Sequence, residues 1–546
     1  MAHTYQVIII GAGASGAGLA RDLALRGVDC LLLERGDVNA GASGRNHGLL
    51  HSGARYAVVD PRAAAECARE GAIIKRILPQ CVDDCGGLFV AVPGDDPDYI
   101  SAFPEYCAAA GVNCRAVDPV AARALEPALA RDITAVYAVP DASVDPFMLS
   151  LENVADAQRH GGRFLRRHEA TGFERDGRHL RAVRVRNTET GETAVYAGLQ
   201  FVIAAGGWSG RVAALAGCRA DLLLSKGTLL VTQSRLTKRV INRLRGPGDG
   251  DILVPGGSVS ILGTTSVPVA DPDDNTPTIA EVDANLSEAL PLLPGLATTP
   301  FRRAYAGIRP LVRATGASGE GRKASRDFAL LTYEEAEAGG VDNLMTLTGG
   351  KLTTYRLMAE RAADALCRRL GVSAVCRTAE EAIPPSDLAA WSDPSPAHKY
   401  AWWQKHSPDD YLLCECEVVP QSAVDGLLRG LTERRADPDD ERGNDDGLAP
   451  AADLLPAVSY RSRVGKGSCQ GTFCGARITA HLYDCALAAG TGGTAGLKRF
   501  LRERWRGQRP VLWGDQMAQA ELKEALYLGL MGLDGVDADV PEDGER

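Results

Sequence analysis

Three sets of residues in this chain have types and spacings that chemistry requires. The first is a pair of glycine turns. Gly11, Gly13 and Gly16 form G-x-G-x-x-G directly after an apolar β-branched run, Gln6 to Ile10, and at the start of a helix-forming stretch. Gly11 permits a tight turn, Gly13 lets the backbone approach a pyrophosphate, and Gly16 allows a helix to pack closely on the strand. The helix opening at Ala14 and Ser15 offers free N–H groups and partial positive charge to phosphates. Glu34 ends the next apolar run, Asp29 to Leu33, with Arg35 beside it. Its carboxylate suits ribose hydroxyls and repels a ribose phosphate, which leaves NAD and FAD. The second turn, Thr348-Gly349-Gly350-Lys351, follows the strand-like Leu344 to Leu347 and leads through Leu352 into a helix. Backbone N–H groups there can meet the pyrimidine edge of a flavin and stabilise its reduced charge. This favours FAD. A third apolar run, Phe201 to Ala205, ends in Gly206-Gly207.

The second set is cysteine. Cys414 and Cys416 form C-x-C; Cys469 and Cys474 form C-x-x-x-x-C. Four thiolates suit zinc or an iron–sulfur cluster. Zinc sites more often use C-x-x-C pairs, so the spacing leans toward the cluster, with zinc and bare thiols as alternatives. Gly465, Gly467, Gly471 and Gly475 allow tight loops whose N–H groups can point at sulfur. The other ten of the 14 cysteines are scattered and read as small buried hydrophobes. Arg461-Ser462-Arg463 can offset cluster charge or form a solvated turn. Acidic residues between Glu433 and Asp453 read as a solvated loop.

The third set is cationic and basic. The planar fork of arginine fits an anionic oxygen group better than lysine does. A redox step that releases a proton also needs a base near working pH. Histidine, with an unperturbed pKa of about 6.5, meets that need.

Elements must hold these groups in place. The strand–turn–helix–strand opening is a βαβ unit, and the separated runs near 201 and 344 are expected in the same parallel sheet. We expect an α/β protein in which 1–370 form an oxidoreductase unit. Segments of about 1–60, 140–215 and 335–370 would bind the dinucleotide, and about 61–139 and 216–334 would cover it. A proline-punctuated linker of about 371–410 leads to a cysteine module of about 411–480. A helical C-terminal region of about 481–546 ends in a disordered acidic tail from Asp534. A net charge of −10 argues against nucleic acid as a partner. No apolar run spans a bilayer, and no secretory signal is readable. The expected location is intracellular.

Four segments together resemble the FAD-dependent glycerol-3-phosphate dehydrogenases. They are Gly44-Arg45-Asn46-His47-Gly48-Leu49-Leu50-His51-Ser52-Gly53-Ala54-Arg55-Tyr56, Val144-Asp145-Pro146-Phe147, Ala306-Gly307-Ile308-Arg309-Pro310-Leu311 and Gly349-Gly350-Lys351-Leu352-Thr353-Thr354-Tyr355-Arg356. The added cysteines and the closing Phe500-Leu501-Arg502-Glu503-Arg504-Trp505 resemble the anaerobic type, in its catalytic A subunit. The cysteine pattern is similar to the ferredoxin-like domain of bacterioferritin-associated ferredoxin, which implies a [2Fe–2S] cluster.

The resemblance implies a glutathione-reductase-like FAD-binding Rossmann domain, a D-amino-acid-oxidase-like substrate domain, a small α-rich iron–sulfur domain and a helical C-terminus. It implies oxidation of sn-glycerol 3-phosphate to dihydroxyacetone phosphate, with electrons passing to membrane quinone through partner subunits. The chain would sit in the cytoplasm, peripheral at the inner face of the membrane. Within the matched motifs, Arg55, Arg309 and Arg326 would hold phosphate, and Tyr56 and Thr354 would hydrogen-bond substrate oxygens. Lys351 would contact substrate or reduced flavin. His51 is the candidate base, with His47 as competitor and a cationic arginine such as Arg309 as a substitute. Gly44, His47 and Gly48, with Ala205 and Gly206, would contact the cofactor. Two rivals remain at this stage: an amine or amino-acid oxidoreductase of the same fold, and a non-catalytic redox carrier or sensor.

Overall fold

The computed structural model describes residues 3–312, 327–334, 340–386, 396–405, 409–432 and 450–533. Arg326, the tail from Asp534 and most of the acidic segment after Glu433 lie outside the described residues. The elements used below are β1 (Thr4–Ile10), α1 (Ala14–Leu25), β2 (Cys30–Leu33), β3 (Thr193–Ile203), β4 (Leu222–Thr232), β5 (Phe301–Val312), β6 (Val341–Gly349) and α2 (Tyr355–Leu370). The C-terminal part adds α3 (Gln421–Thr432), α4 (Ala451–Tyr460), α5 (Thr472–Asp484), α6 (Gly492–Trp505) and α7 (Asp515–Met531).

β6, β3, β1, β2 and Arg163–Leu165 lie side by side and parallel. Their apolar, β-branched runs suit strands buried on both faces. Val7, Ile8 and Ile9 are fully buried. α1 and α2 pack on one face, where Leu19, Leu23, Met358 and Leu366 join one core. Gly18 permits this approach, because a Cβ there would stand 2.9 Å from the Tyr355 ring. The β3 strand is longer than its sequence run. Its first half pairs antiparallel with His179–Asn187, which pairs in turn with the edge strand His168–Asp176. Phe328–Tyr333, expected among the substrate-covering segments, instead pairs with β6 in this first sheet.

A second, nine-stranded sheet covers the first. Its backbone is the β4–β5 ribbon, paired antiparallel from Leu222↔Val312 to Thr232↔Phe301. Ser225 stands opposite Arg309, and Gly227 opposite Gly307. The helix Pro61–Ile77 is pinned to α2 by a buried two-pronged pair, Arg356 Nε and Nη2 to the Glu70 carboxylate, each 2.7 Å.

The C-terminal helices form their own core around Leu427, Leu455, Ile478 and Phe500. Asp453, expected in a solvated loop, is only 1% exposed and pairs with Arg167 and Arg499. The short Arg461–Arg463 stretch is not a solvated turn. Arg461 forks onto Asp37 at 2.8 and 2.9 Å. Arg463 bonds Glu417 at 2.5 Å, Asp145 at 3.3 Å and the Gly256 carbonyl at 2.8 Å. These side chains dock the module on the oxidoreductase body. Burial alone would raise the Asp145 pKa. Lys466 and Arg463 outweigh that and hold it below the usual carboxylate range.

Removing one partner of a buried charge network strands the others, at a cost of about 3–5 kcal/mol. Arg463→Ala is therefore expected to lower the unfolding free energy of the cysteine module by that order, read as a lower urea midpoint. An unchanged midpoint would show that Arg463 does not hold the docking.

Candidate active site and thiol centre

One cavity of about 860 Å³ runs from the first glycine turn to the β4–β5 ribbon. At one end it is lined by Gly11, Gly13, Ala14, Ser15, Glu34, Arg35, Ala205 and Gly206. At the other it is lined by His47, His51, Arg55, Tyr56, Arg309, Gly349, Gly350, Lys351 and Leu352. Chain positions hundreds of residues apart thus share one chamber.

At the first end, Gly13 caps α1, and a Cβ there would meet Ser43 Oγ at 3.0 Å. Ser43 Oγ accepts from the Ala14 N–H at 3.0 Å, so one helix-end donor is already engaged. Glu34 accepts from the Ala12 and Gly36 N–H groups at 2.9 and 2.8 Å. These bonds fix the carboxylate at the cavity wall. Desolvation outweighs them and raises its pKa. The Arg35 guanidinium stacks 4.5 Å above the Trp208 ring, which also lines the cavity. Ser43 and Trp208 were not expected here, because nothing local to them in the sequence signals a cofactor.

At the second end, Arg309 projects from β5 across the ribbon. It donates to the Thr265 carbonyl at 3.2 Å and to Thr264 Oγ1. A Cβ on Gly227 would strike its guanidinium, so the glycine is the bed on which Arg309 lies. Arg55 is 8% exposed. Its Nη2 donates to Asp251 Oδ2 at 3.1 Å and to the Gly248 carbonyl at 3.3 Å. Its Nη1 is buried and has no hydrogen-bond partner among the described residues. A buried unsatisfied donor on a charged group is costly unless a ligand completes it. Lys351 Nζ lies 4.8 Å over the Tyr56 ring.

His51 is held by its backbone. Its N–H donates to Thr353 Oγ1 at 3.1 Å, and its ring lies 5.4 Å from that of Tyr56 and 6.3 Å from that of His47. His47 Nδ1 accepts the Leu49 N–H at 3.2 Å, which ties this ring to its own loop.

Three expected site residues do other work, and a fourth, Gly16, packs beneath the site as its place in the turn requires. Thr354 is 2% exposed, and its hydroxyl closes the turn by donating to the Lys351 carbonyl and accepting the Lys351 N–H, both at 3.2 Å. It is a structural cap with no wall of the cavity. Gly16 is packed against the Gly11 carbonyl beneath the loop. Gly44 fits against Asn39 and Phe147, and Gly48 against the Val144 carbonyl. Both face a separate small cavity of about 110 Å³ behind the main one.

The four cysteines converge as a ring. Cys414 and Cys416 Sγ are 3.8 Å apart, and Cys416 and Cys469 are 4.0 Å apart. Cys474 closes the ring through contacts to Cys414 and Cys469. Contacts to Cys416 and Cys474, with N–H groups of Phe473 and Gly471, hold Cys469 as thiolate well below its usual pKa despite burial. Contacts to Cys414 and Cys469 drive Cys416 upward. A Cβ at Gly467 would stand 2.6 Å from Cys416 Sγ, so that glycine is required for the sulfur cradle. Such a set fits a soft metal centre. Of the ten other cysteines, six are buried and Cys485 is exposed.

A family model described as DAO, FAD dependent oxidoreductase, matches residues 6–365. The A subunit of the anaerobic glycerol-3-phosphate dehydrogenase of Escherichia coli (strain K12) is 42% identical over 547 residues, covering 97% of each chain. The chain belongs to the family of anaerobic glycerol-3-phosphate dehydrogenase A subunits. The A1 subunit of the Haloferax volcanii enzyme is 35% identical, covering 99% of this chain and 93% of the relative. The glycerol-3-phosphate dehydrogenase of Bacillus halodurans, solved with FAD, shares the fold with a TM-score of 0.64 at 20% identity, covering 94% of this chain and 96% of the other. Membership makes the chain an FAD-dependent oxidoreductase, and the glycine turns and Glu34 fit that cofactor.

In this family member Gly11 has φ +113°, and a Cβ there would meet the Ala204 carbonyl oxygen at 2.6 Å. Gly11→Val is expected to cut flavin absorbance per chain several-fold and leave the cysteine module folded. Full flavin occupancy in that variant would remove the loop from the cofactor site.

Proposed function

We propose that this protein oxidises sn-glycerol 3-phosphate to dihydroxyacetone phosphate and delivers the electrons through a [2Fe–2S] cluster on Cys414, Cys416, Cys469 and Cys474. The observation that carries the substrate is the pairing of two anchored guanidinium groups, Arg55 and Arg309, in one cavity. A phosphate dianion supplies the acceptor that Arg55 Nη1 lacks. A single arginine would suffice for the carboxylate of an amino acid, which is why the amine-oxidising reading is weaker. The names of the relatives support the same substrate.

FAD, when bound, supplies a two-electron acceptor for the hydride from substrate C2. The residues of this chain supply binding, orientation and proton removal. Arg55 and Arg309 hold the phosphate end and so set where the carbinol lies. Tyr56 walls the pocket and, with Lys351, bounds the carbinol. His51, with its backbone fixed at Thr353, takes the C2 hydroxyl proton. The nearby cations lower that hydroxyl's pKa. Arg326 is a third phosphate ligand by its place in the family motif.

Support for the cluster comes from the four-thiol ring, the Gly467 cradle and N–H donors aimed at Cys469. Four thiolates also suit zinc. The cluster is favoured because reduced flavin carries two electrons that a one-electron centre can drain singly. The relatives are named as A subunits, which supports further subunits in the role of electron acceptor. Among the described residues no helix is long and apolar enough to cross a membrane. Delivery to quinone would then run through such partners at the inner membrane face.

Arg309→Ala is expected to raise KM for glycerol 3-phosphate by tenfold or more, about 1.4 kcal/mol or above, with FAD content unchanged. An unaltered KM in steady-state kinetics would release Arg309 from the phosphate site. For the cluster, Cys469→Ser should abolish its absorbance and EPR signal, with anaerobic flavin reduction by substrate retained. Full cluster signal in that variant would refute the ligand assignment.

A further inference from the structure

Beyond the cavity and the four-cysteine ring, the described residues bring one more set of metal-ligand types together: Asp425 on α3, His481 on α5 and Cys485 at the end of α5. Their ligand atoms lie within 4.8 Å of one another. His481 Nε2 is 2.5 Å from Asp425 Oδ1 and 3.6 Å from Cys485 Sγ. His481 is 6% exposed, Asp425 is half-buried and Cys485 is exposed. The group is therefore walled by protein on one side and open to solvent on the other. Gln421 donates to Asp425 Oδ2 at 3.4 Å, which leaves Oδ1 turned to the imidazole. Such an outer partner commonly orients a metal-binding carboxylate.

The dimensions suit one ion in particular. With Zn–S near 2.3 Å and Zn–N near 2.0 Å, a tetrahedral site separates S and N by roughly 3.6 Å. The His481–Cys485 spacing already has that value. The His481–Asp425 contact must open, from hydrogen-bond length to roughly 3.3 Å, and Asp425 and Cys485 already lie within 4.8 Å. The open side leaves room for water as a fourth ligand.

We propose that Asp425, His481 and Cys485 form a second metal site in the cysteine module, binding a zinc-class divalent ion that clamps α3 to α5. It is separate from the Cys414–Cys474 ring and independent of the substrate reading above. In its absence the Asp425–His481 contact is a simple charge-assisted hydrogen bond, and that is the alternative to be tested.

The test uses the full chain with flavin and its four-cysteine centre in place, freed of loosely held metal and titrated with zinc alone against a chromophoric indicator. Wild type should take up one equivalent that slows alkylation of Cys485, followed by peptide mass. Affinity should rise with pH, because imidazole and thiol must shed protons to bind. Cys485→Ser, an exposed and fold-neutral change, and His481→Gln should each weaken this uptake tenfold or more. Visible absorbance and turnover should be unchanged. Zinc uptake that leaves Cys485 alkylation unaltered, or equal uptake by wild type and Cys485→Ser, would overturn the proposal and leave only the hydrogen bond.

Discussion

A buried charge network around Arg55 and Asp251, with one Arg55 donor left open among the described residues, organises the chamber at the heart of this molecule. Arg55 shares Asp251 with Arg245, whose Nε and Nη2 lie 2.9 and 2.7 Å from Asp251 Oδ1. One carboxylate, 1% exposed, thus faces two guanidinium groups. Arg245 also reaches Glu288 at 2.7 Å, whereas the carboxylate on Arg55 is the shared one. Arg309 is oriented by a hydroxyl and a carbonyl. A buried guanidinium such as Arg55 is tolerated when acceptors complete it. Gly227 of the β4–β5 ribbon and the loop at Gly248 help to hold these groups at the cavity wall.

The second constraint is the joint between the oxidoreductase body and the cysteine module. Asp145 caps the helix Pro146–Arg159 by accepting the Phe147 and Met148 N–H groups at 3.0 and 3.2 Å. Arg463 links that carboxylate to Glu417, the neighbour of Cys416 in the chain. Glu417 in turn accepts the Ser258 N–H and hydroxyl at 3.0 and 2.7 Å, from the turn beyond Ile252–Gly256. Ile252 itself lines the main cavity. A bonded path therefore connects the thiol ring with the chamber, so the distance between them is fixed by buried electrostatics and not by a flexible tether.

Much of this was legible in the sequence, for reasons that differ by region. Apolar runs flanked by glycine turns announce parallel strands, because burial on both faces leaves no other residue choice. Gly11, Glu34 and the Gly349-Gly350 turn could be read because their roles are backbone roles set by local order. The cysteines could be read from pairing alone. What the sequence hid is contact over long separations. Asp251, Thr264 and Thr265 anchor arginines that are distant in the chain, and Ser43 reaches the α1 terminus from a later loop. Thr354 looked like a ligand because it lies in the matched Gly349–Arg356 motif, yet its hydroxyl closes the turn on its own backbone. Gly44 and Gly48 lie in the right segment but serve packing behind the site. Arg463 looked like a surface charge because its three partners come from three different regions.

The central claim, that anchored guanidinium groups select a phosphate-bearing alcohol for oxidation, is tested most directly by anaerobic titration of the holoprotein followed by absorption and EPR. Glycerol 3-phosphate is expected to bleach the flavin and then produce the signal of a reduced cluster, while glycerol, glycine and proline at the same concentrations leave both oxidised. Bleaching by an amino acid, or an oxidised flavin under saturating glycerol 3-phosphate, would contradict the account.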